Sequence, residues 1–257
     1  MGTSAGVVTD GAVSHDLDRL RRQIAVMSGR PDHHSVEVAD RSAGVLPVPG
    51  ALADLLPRRG LVRGSVVTIS GARSILLSVI ASVSGSGRQV GIVGLPQLNY
   101  GAVAELGGDL SRIAAVPNPG VDPIEVAGVL LDGMDLVVLG LGDVAVPPSR
   151  TRVVMGRVRK QLSTLITAGG TWPGAHLRLD AEVVAYRHLP GGTGSIDLAT
   201  ARAGYGRLGG MSLQVSVSDR GHQRETGEID LVAGGFGATG QVDLVPSPTR
   251  PGLAVAN

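Results

Sequence analysis

A turn between a predicted strand and a predicted helix is the part of the sequence most suited to chemistry. The β-branched run at 66–69 predicts a buried strand, and the apolar residues from Ile75 onward predict a buried helix. Between them lie Ser70, Gly71, Ala72, Arg73 and Ser74. A strand, a glycine turn and a helix form the context in which backbone N–H groups bind phosphate. These five residues are therefore the candidate nucleotide-binding residues.

The turn lacks the groups that would act on a nucleotide. An Ile-Leu pair stands where a phosphate-binding loop carries Lys and Ser or Thr, and Arg73 comes too early to replace the lysine. The strand at 134–139 is followed by Gly-Leu-Gly where an Asp would hold Mg²⁺, and Asp143 comes three residues late. The strand at 89–93 ends without a carboxylate to activate water. We expect no ATPase activity, no catalytic residue, no cofactor and no metal site.

The alternation of strands and helices predicts an α/β fold. Strands separated by helices are predicted at 65–69, 89–93, 114–117, 134–139 and 164–167. Such βαβ units imply a mostly parallel sheet flanked by helices. Alternating residues predict further strands at 176–186, 208–218 and 229–232, which we expect to be antiparallel at one edge of the sheet. Trp172, in a turn between the two regions, is expected to cover apolar side chains. An exposed docking anchor is the alternative.

Three segments are predicted along the chain. Residues 1–43 comprise a helix and a polar linker, 44–232 form the α/β core, and 233–257 form a Gly- and Pro-rich tail that we expect to be disordered. The N-terminal helix carries an apolar stripe that either packs on its own domain or docks on another protein. The stripe consists of Leu17, Leu20, Ile24 and Met27.

Composition excludes several classes of protein. Hydrophobic residues make up 43% of the 257 residues and aromatic residues only 2%, so the core must be aliphatic. The absence of Cys removes disulfides and suits a reducing compartment. No apolar run approaches the roughly 18 residues that a membrane helix needs, and the first residues do not look like a signal peptide. We therefore expect a cytoplasmic protein that does not enter a membrane.

One basic segment is a candidate for contact with DNA. It contains Arg150, Arg152, Arg157, Arg159 and Lys160. Such side chains neutralise phosphates, and the binding would weaken steeply with salt. A solvated helix face is the simpler explanation. The net charge of +1 gives no case for nucleic acid from the protein as a whole, and the scarcity of aromatic residues disfavours a strong single-strand binder.

The core resembles that of the RecA/RadA recombinase family. GLVRGSVVTISG (60–71) is similar to that family's first strand and loop, and the order of elements through LVVLGLGD (136–143) also fits. The resemblance covers about 55–186. More closely, the chain resembles the ImuA-type accessory proteins of actinobacteria, including the mycobacterial ImuA-prime group. The segments that carry this resemblance are VVTISGARSILLSVIA, VGIVGLPQLNYGAVAELG, DGMDLVVLG and GGTWPGAHLRL.

The resemblance implies a role in damage-induced (SOS) mutagenesis and translesion DNA synthesis. The chain would be a RecA-like protein without catalysis that contacts an ImuB-type Y-family polymerase homologue. Through that homologue it would reach an error-prone replicative-type polymerase and associate with the nucleoid. In RecA-like proteins an N-terminal helix docks on a neighbouring subunit. The apolar stripe at 17–27 would therefore dock either on a second copy or on the ImuB-type partner.

Two alternatives follow from the same residues. One is a DNA-binding RecA-like module without ATPase activity, which would use the basic segment. The other is a nucleotide-sensing pseudo-ATPase, in which the backbone of Gly71 and the start of the next helix still hold an anion. Stabilisation by ATP analogues would favour the second alternative.

Overall fold

The computed structural model describes residues 44–142, 146–189, 207–219, 224–233 and 242–247. The chain separates into two compact units, Met1–Ala43 and Gly44–Asn257. The N-terminal helix and its stripe at Leu17, Leu20, Ile24 and Met27 lie outside the described residues, as does Asp143. The predictions made for them therefore stay predictions.

The second unit contains strands and helices in alternation up to residue 168. The strands are β1 (Val45–Leu46), β2 (Leu61–Val62), β3 (Val66–Gly71), β4 (Val90–Val93), β5 (Ile113–Val116), β6 (Leu136–Gly140), β7 (Thr164–Ala168), β8 (Leu177–Leu189), β9 (Arg207–Asp219), β10 (Glu225–Ala233) and β11 (Val242–Pro246). The helices are α1 (Gly50–Ala53), α2 (Arg73–Gly85), α3 (Tyr100–Glu105), a 3₁₀ turn (Leu110–Arg112), α4 (Pro123–Leu130) and α5 (Pro148–Gln161).

Nine strands form one sheet in the order β11-β10-β9-β8-β3-β7-β6-β4-β5. The pairs from β8 to β5 are parallel, and those from β8 to β11 are antiparallel. β1 and β2 pair separately. This order places β3 between β7 and β8. The predicted fold is confirmed: a mostly parallel sheet with antiparallel strands at one edge.

Successive residues of the central strands point to opposite faces of the sheet, and both faces are buried. On β6, Leu136 and Val138 join a cluster with α2, whereas Val137 and Leu139 join a cluster with α4 and α5. Burial on both faces explains why β6 is a continuous apolar run with no alternation. The largest fully buried side chains are aliphatic except Trp172, as the composition predicts.

Trp172 lies in the second cluster and is fully buried. The expectation that it covers apolar side chains is therefore confirmed, and the exposed docking anchor is wrong. Its indole Nε1 has no hydrogen-bond partner among the described residues.

The prediction of a disordered tail from 233 onward is wrong for Val242–Pro246. This segment forms β11, which pairs with β10 in the register Asp230↔Val245 and Leu231↔Leu244. Leu244 packs against the first hydrophobic cluster. The short Val-Asp-Leu-Val alternation is enough for an edge strand because β10 supplies its hydrogen bonds. The boundary of the core at 232 is therefore also wrong, since the sheet extends to Pro246.

Candidate functional site

A cavity of about 350 Å³ lies at the carboxyl ends of the parallel strands. Ligands of open α/β sheets bind at this edge, where the connection of the strands changes direction. The cavity lies between the ends of β3, β4, β6 and β7, at the position of the predicted nucleotide site. Its walls are Ile69, Ser70, Gly71, Ala72, Arg73, Leu76, Gly94, Leu95, Pro96, Gln97, Leu98, Gly140, Gly142, Ala168 and Gly169.

The predicted turn is not a loop. β3 continues through Gly71 and α2 begins at Arg73, so Ala72 alone separates the strand from the helix. The structure therefore corrects the prediction: Ser70 and Gly71 belong to the strand, and Arg73 and Ser74 to the helix. The cause is the pairing of β3 with β8, which extends to Gly71 opposite Ala181. A phosphate-binding loop needs several residues between strand and helix to surround an anion.

The junction is closed against Ala181. The backbone N–H of Ala72 donates to the carbonyl oxygen of Ala181 over 2.7 Å. Gly71 has φ +81°, and a Cβ at this position would lie 1.9 Å from the same oxygen. Ser70 Oγ donates to the carboxylate of Asp180. The amide and the hydroxyl that would face a phosphate are therefore engaged by β8, and Asp180 adds a negative charge beside them.

The start of α2 keeps one feature of a phosphate site. Ala72 is the N-cap, and no side chain caps the helix. The first amides of α2 and the exposed Arg73 side chain are the groups here that suit an anion.

The ends of β4 and β6 supply no carboxylate. Gly94 and Gly140 are so close that a Cβ on Gly140 would lie 2.5 Å from the carbonyl oxygen of Gly94. Among the described residues that line the cavity none is acidic, and Arg73 is the only charged one. The described part of the chain also contains no group of three His, Cys, Asp or Glu residues placed to hold a metal ion. The described lining is therefore mostly glycine and apolar side chains, with Ser70, Arg73 and Gln97 as its polar members.

The basic segment forms α5, and its side chains are spread over the helix. Arg150 pairs with Asp122 over 2.6 Å, and Arg157 Nε lies 3.6 Å from the carboxylate of Asp132. The two acidic partners flank α4: Asp122 is its N-cap, and Asp132 follows its last turn. Arg159 lies on the opposite side of α5, where its Cα is 3.6 Å from a Cβ built on Gly64.

The structure therefore divides the five candidates for DNA contact. Spacing along the helix places Arg150, Arg157 and Lys160 toward α4, and Arg152 and Arg159 on another stripe. Nothing in the sequence of α5 indicates this division, because the acidic partners Asp122 and Asp132 lie before and after α4.

None of the described helices combines the length and apolar character needed to cross a membrane.

Comparison with known proteins places the chain in a family. Residues 54–174 match the family described as the MT3502 N-terminal domain. Over 209 residues the chain is 42% identical to the uncharacterized protein Rv3395c of Mycobacterium tuberculosis, an alignment that covers 80% of this chain and 93% of that protein. The chain belongs to the same family as Rv3395c. The part matched by the MT3502 model runs from before β2 to the turn that contains Trp172. It therefore includes Ser70, Gly71 and Ala72, but not their partners Asp180 and Ala181 on β8.

A solved structure similar to this chain is the KaiC-like protein PH0186 from Pyrococcus horikoshii. The two share 11% sequence identity, with a TM-score of 0.47 over 79% of this chain and 100% of the other.

Proposed function

We propose that this chain is a non-catalytic accessory protein of damage-induced mutagenesis and translesion DNA synthesis, of the ImuA-prime type. It acts by contact with an ImuB-type Y-family polymerase homologue, and through it reaches an error-prone replicative-type polymerase. The mycobacterial relative is in keeping with the actinobacterial resemblance of the sequence motifs.

The observation that carries the proposal is the hydrogen bond from Ala72 to Ala181. It joins the junction between β3 and α2 to β8, at the position where a nucleotide-binding protein would have a phosphate loop. The residues at the ends of β4 and β6 point the same way, because they are glycine or apolar where hydrolysis needs carboxylates. A fold that keeps the strand and helix of a nucleotide site but bonds their polar groups to β8 is suited to presenting surfaces to other proteins.

The proposal is tested by co-purification with the ImuB-type homologue. Full-length protein is compared with versions lacking 1–30 or 248–257, since both deletions leave the described sheet intact. We expect a stable complex with the full chain and its loss in one deletion, with unchanged thermal unfolding of the core. If no version forms a complex, the proposal is wrong.

Binding of DNA is a second candidate function. Three cations of α5, namely Arg152, Arg159 and Lys160, have no acidic partner in the described part of the chain. Phosphate contacts of this kind give binding that falls steeply with salt. We would expect Arg152→Glu with Arg159→Glu to remove DNA binding. DNA binding that is absent at low salt, or unaffected by this double variant, would exclude the candidate.

A further inference from the structure

A groove of about 440 Å³ runs between α4 and α5 and shares no lining residue with the cavity at the ends of the parallel strands. Its volume lies in the range of roughly 300–1,000 Å³ that is typical of sites for small ligands and side chains. The base is formed by Ile124, Gly128 and Val154, of which Ile124 and Val154 belong to the second hydrophobic cluster. The residues that line it are Asp122, Ile124, Glu125, Gly128, Ser149, Arg150, Val153, Val154 and Arg157.

One exposed valine lines this groove, and two others lie on or beside α4. Val153 on α5 is 73% exposed, and Val129 is 61% exposed on α4, one turn after Glu125. Val121, just before α4, is fully exposed. Single exposed apolar residues are ordinary, but Val153 lines the groove itself, and together with the buried Ile124 and Val154 it forms an apolar surface that another protein can cover.

The charges around the groove differ between its two walls. The α5 wall contributes Arg150 and Arg157 to the lining and no acidic residue, whereas the α4 wall contributes Asp122 and Glu125. The Arg157 guanidinium lies over the backbone of α4, since a Cβ on Gly128 would be 3.0 Å from its Nη1. The pairs Arg150–Asp122 and Arg157–Asp132 are partly exposed, so each is weak and its arginine remains available to a further carboxylate.

We propose that the α4–α5 groove docks an amphipathic helix of a partner protein. The helix places apolar side chains at i, i+4 and i+7 against Ile124, Val153 and Val154, and carboxylates on its flank beside α5. Charge complementarity selects this occupant, because the charged residues that α5 contributes to the groove, Arg150 and Arg157, are both basic. A nucleic acid fits less well, since the exposed Val153 between these arginines offers nothing to a phosphate backbone.

The identity of the partner rests on the proposed function, but the chemistry of the groove does not. Two measurements therefore keep the two ideas apart. The first uses a synthetic helix with leucines at i, i+4 and i+7 and glutamates along one flank, and a second helix with lysines in place of the glutamates.

In the first measurement the full-length chain is titrated with each helix. We expect the glutamate helix to bind, the lysine helix to bind at least about tenfold more weakly, and Val153→Glu to weaken the glutamate helix by about tenfold or more. Val184→Glu is the matched control, since Val184 is 47% exposed on β8 and far from the groove. Both variants change exposed side chains and should unfold at the wild-type temperature. No binding of the glutamate helix, or equal binding by Val153→Glu, overturns the inference.

The second measurement repeats the two variants with the ImuB-type homologue. Loss of the complex in Val153→Glu but not in Val184→Glu supports the groove as its docking site. A complex that Val153→Glu leaves unchanged overturns the assignment of the groove while the proposed function stands. If even the wild-type chain forms no complex, the proposed function fails and the synthetic helix alone decides on the groove.

Duplex DNA serves as the competing probe. If Arg157→Glu with Lys160→Glu removes DNA binding, while Val153→Glu does not and the glutamate helix fails to bind, the surface is a nucleic-acid site. That outcome overturns docking of a helix.

Discussion

The backbone N–H of Ala72 and the carbonyl oxygen of Ala181 are joined by a hydrogen bond of 2.7 Å, between the residue that follows β3 and a residue of β8. This bond extends the pairing of β3 with β8 by one residue, to the point where a phosphate-binding loop would leave the sheet. An amide that binds a carbonyl does not also bind a phosphate without breaking its first bond. β8 therefore closes the junction between β3 and α2, and this junction with its partners Asp180 and Ala181 is the closed cradle.

Nucleotide should not stabilise the protein. A ligand at one hundred times its dissociation constant raises the free energy of unfolding by roughly 2.7 kcal/mol, which a thermal unfolding curve detects easily. We expect Mg²⁺-ATP and its non-hydrolysable analogues to leave the unfolding temperature unchanged. A rise that depends on nucleotide concentration would instead support the nucleotide-sensing alternative, with the uncapped start of α2 and Arg73 as the anion site.

Substituting Gly71 should damage the fold more than substituting any exposed glycine. Gly71→Ala brings a Cβ to 1.9 Å from the oxygen of Ala181 at a φ of +81°, so β3 and β8 must separate. We expect a loss of at least about 3 kcal/mol in the free energy of unfolding, measured in urea. Gly156→Ala is the control with the opposite sign. It lies inside α5 with nothing within 4 Å of the new Cβ, so a gain of about 0.5–1 kcal/mol is expected. Equal effects would show that the contact with Ala181 is unimportant.

The parts of the fold that depend on local sequence were predictable. The β-branched run of β3 and the apolar run of β6 each identify a strand, and their spacing implies parallel pairing. The sequence also shows that lysine and the carboxylates are missing from the cradle. These features depend on residue types at fixed short distances, which a single sequence displays.

The features that the sequence did not predict depend on contacts between segments that lie far apart in the chain. The length of the turn after β3 is set by Ala181, and no residue near Gly71 indicates this. β11 forms because β10 offers an edge, although its surroundings are rich in Gly and Pro. The division of the α5 arginines likewise depends on Asp122 and Asp132, which precede that helix by a whole strand. Such pairings become visible only once the topology is known.

Among the charged contacts of the described residues, we expect the buried ion pair Arg63–Asp135 to cause the largest loss of stability when one partner is replaced. Arg63 Nη1 lies 2.9 Å from Asp135 Oδ1, with both side chains less than a tenth exposed, and Asp135 also accepts from the N–H of Gln89. Arg63→Met removes the buried guanidinium that donates to the Asp135 carboxylate, and we expect a loss of about 3–5 kcal/mol in the free energy of unfolding.

The double variant Arg63→Met with Asp135→Asn should lose less than Arg63→Met alone, because no buried charge then remains and the amide oxygen still accepts from Gln89. Arg59→Met serves as the exposed control. Its pair with Asp54 is of similar length, 2.7 Å, but largely in solvent, so the expected change is below about 1 kcal/mol. If Arg59→Met and Arg63→Met lower the free energy of unfolding by the same amount, burial is not what makes the Arg63–Asp135 pair important.

The start of α4 should make stability depend on acid pH. The N–H of Glu125 donates to the Asp122 carboxylate, and together with Arg150 it lowers the pKa of Asp122 below its ordinary value. A depressed pKa in the folded state means that the carboxylate stabilises the fold above its ordinary pKa of about 3.9. This contribution is lost as the pH falls through the lower, folded value, since the unfolded chain binds the proton more readily.

Asp122→Asn isolates this effect because asparagine also caps helices well and keeps an oxygen for the N–H of Glu125. We expect the variant to be less stable than the wild type at neutral pH, and the difference to shrink once the pH drops below about 4, as measured by urea unfolding across the acid range. In an Arg150→Gln background the same substitution should cost less, because the cation that favours the charged form is gone. A difference between wild type and Asp122→Asn that stays constant down to about pH 2 would mean that the charge of Asp122 does not contribute and that capping alone orders α4.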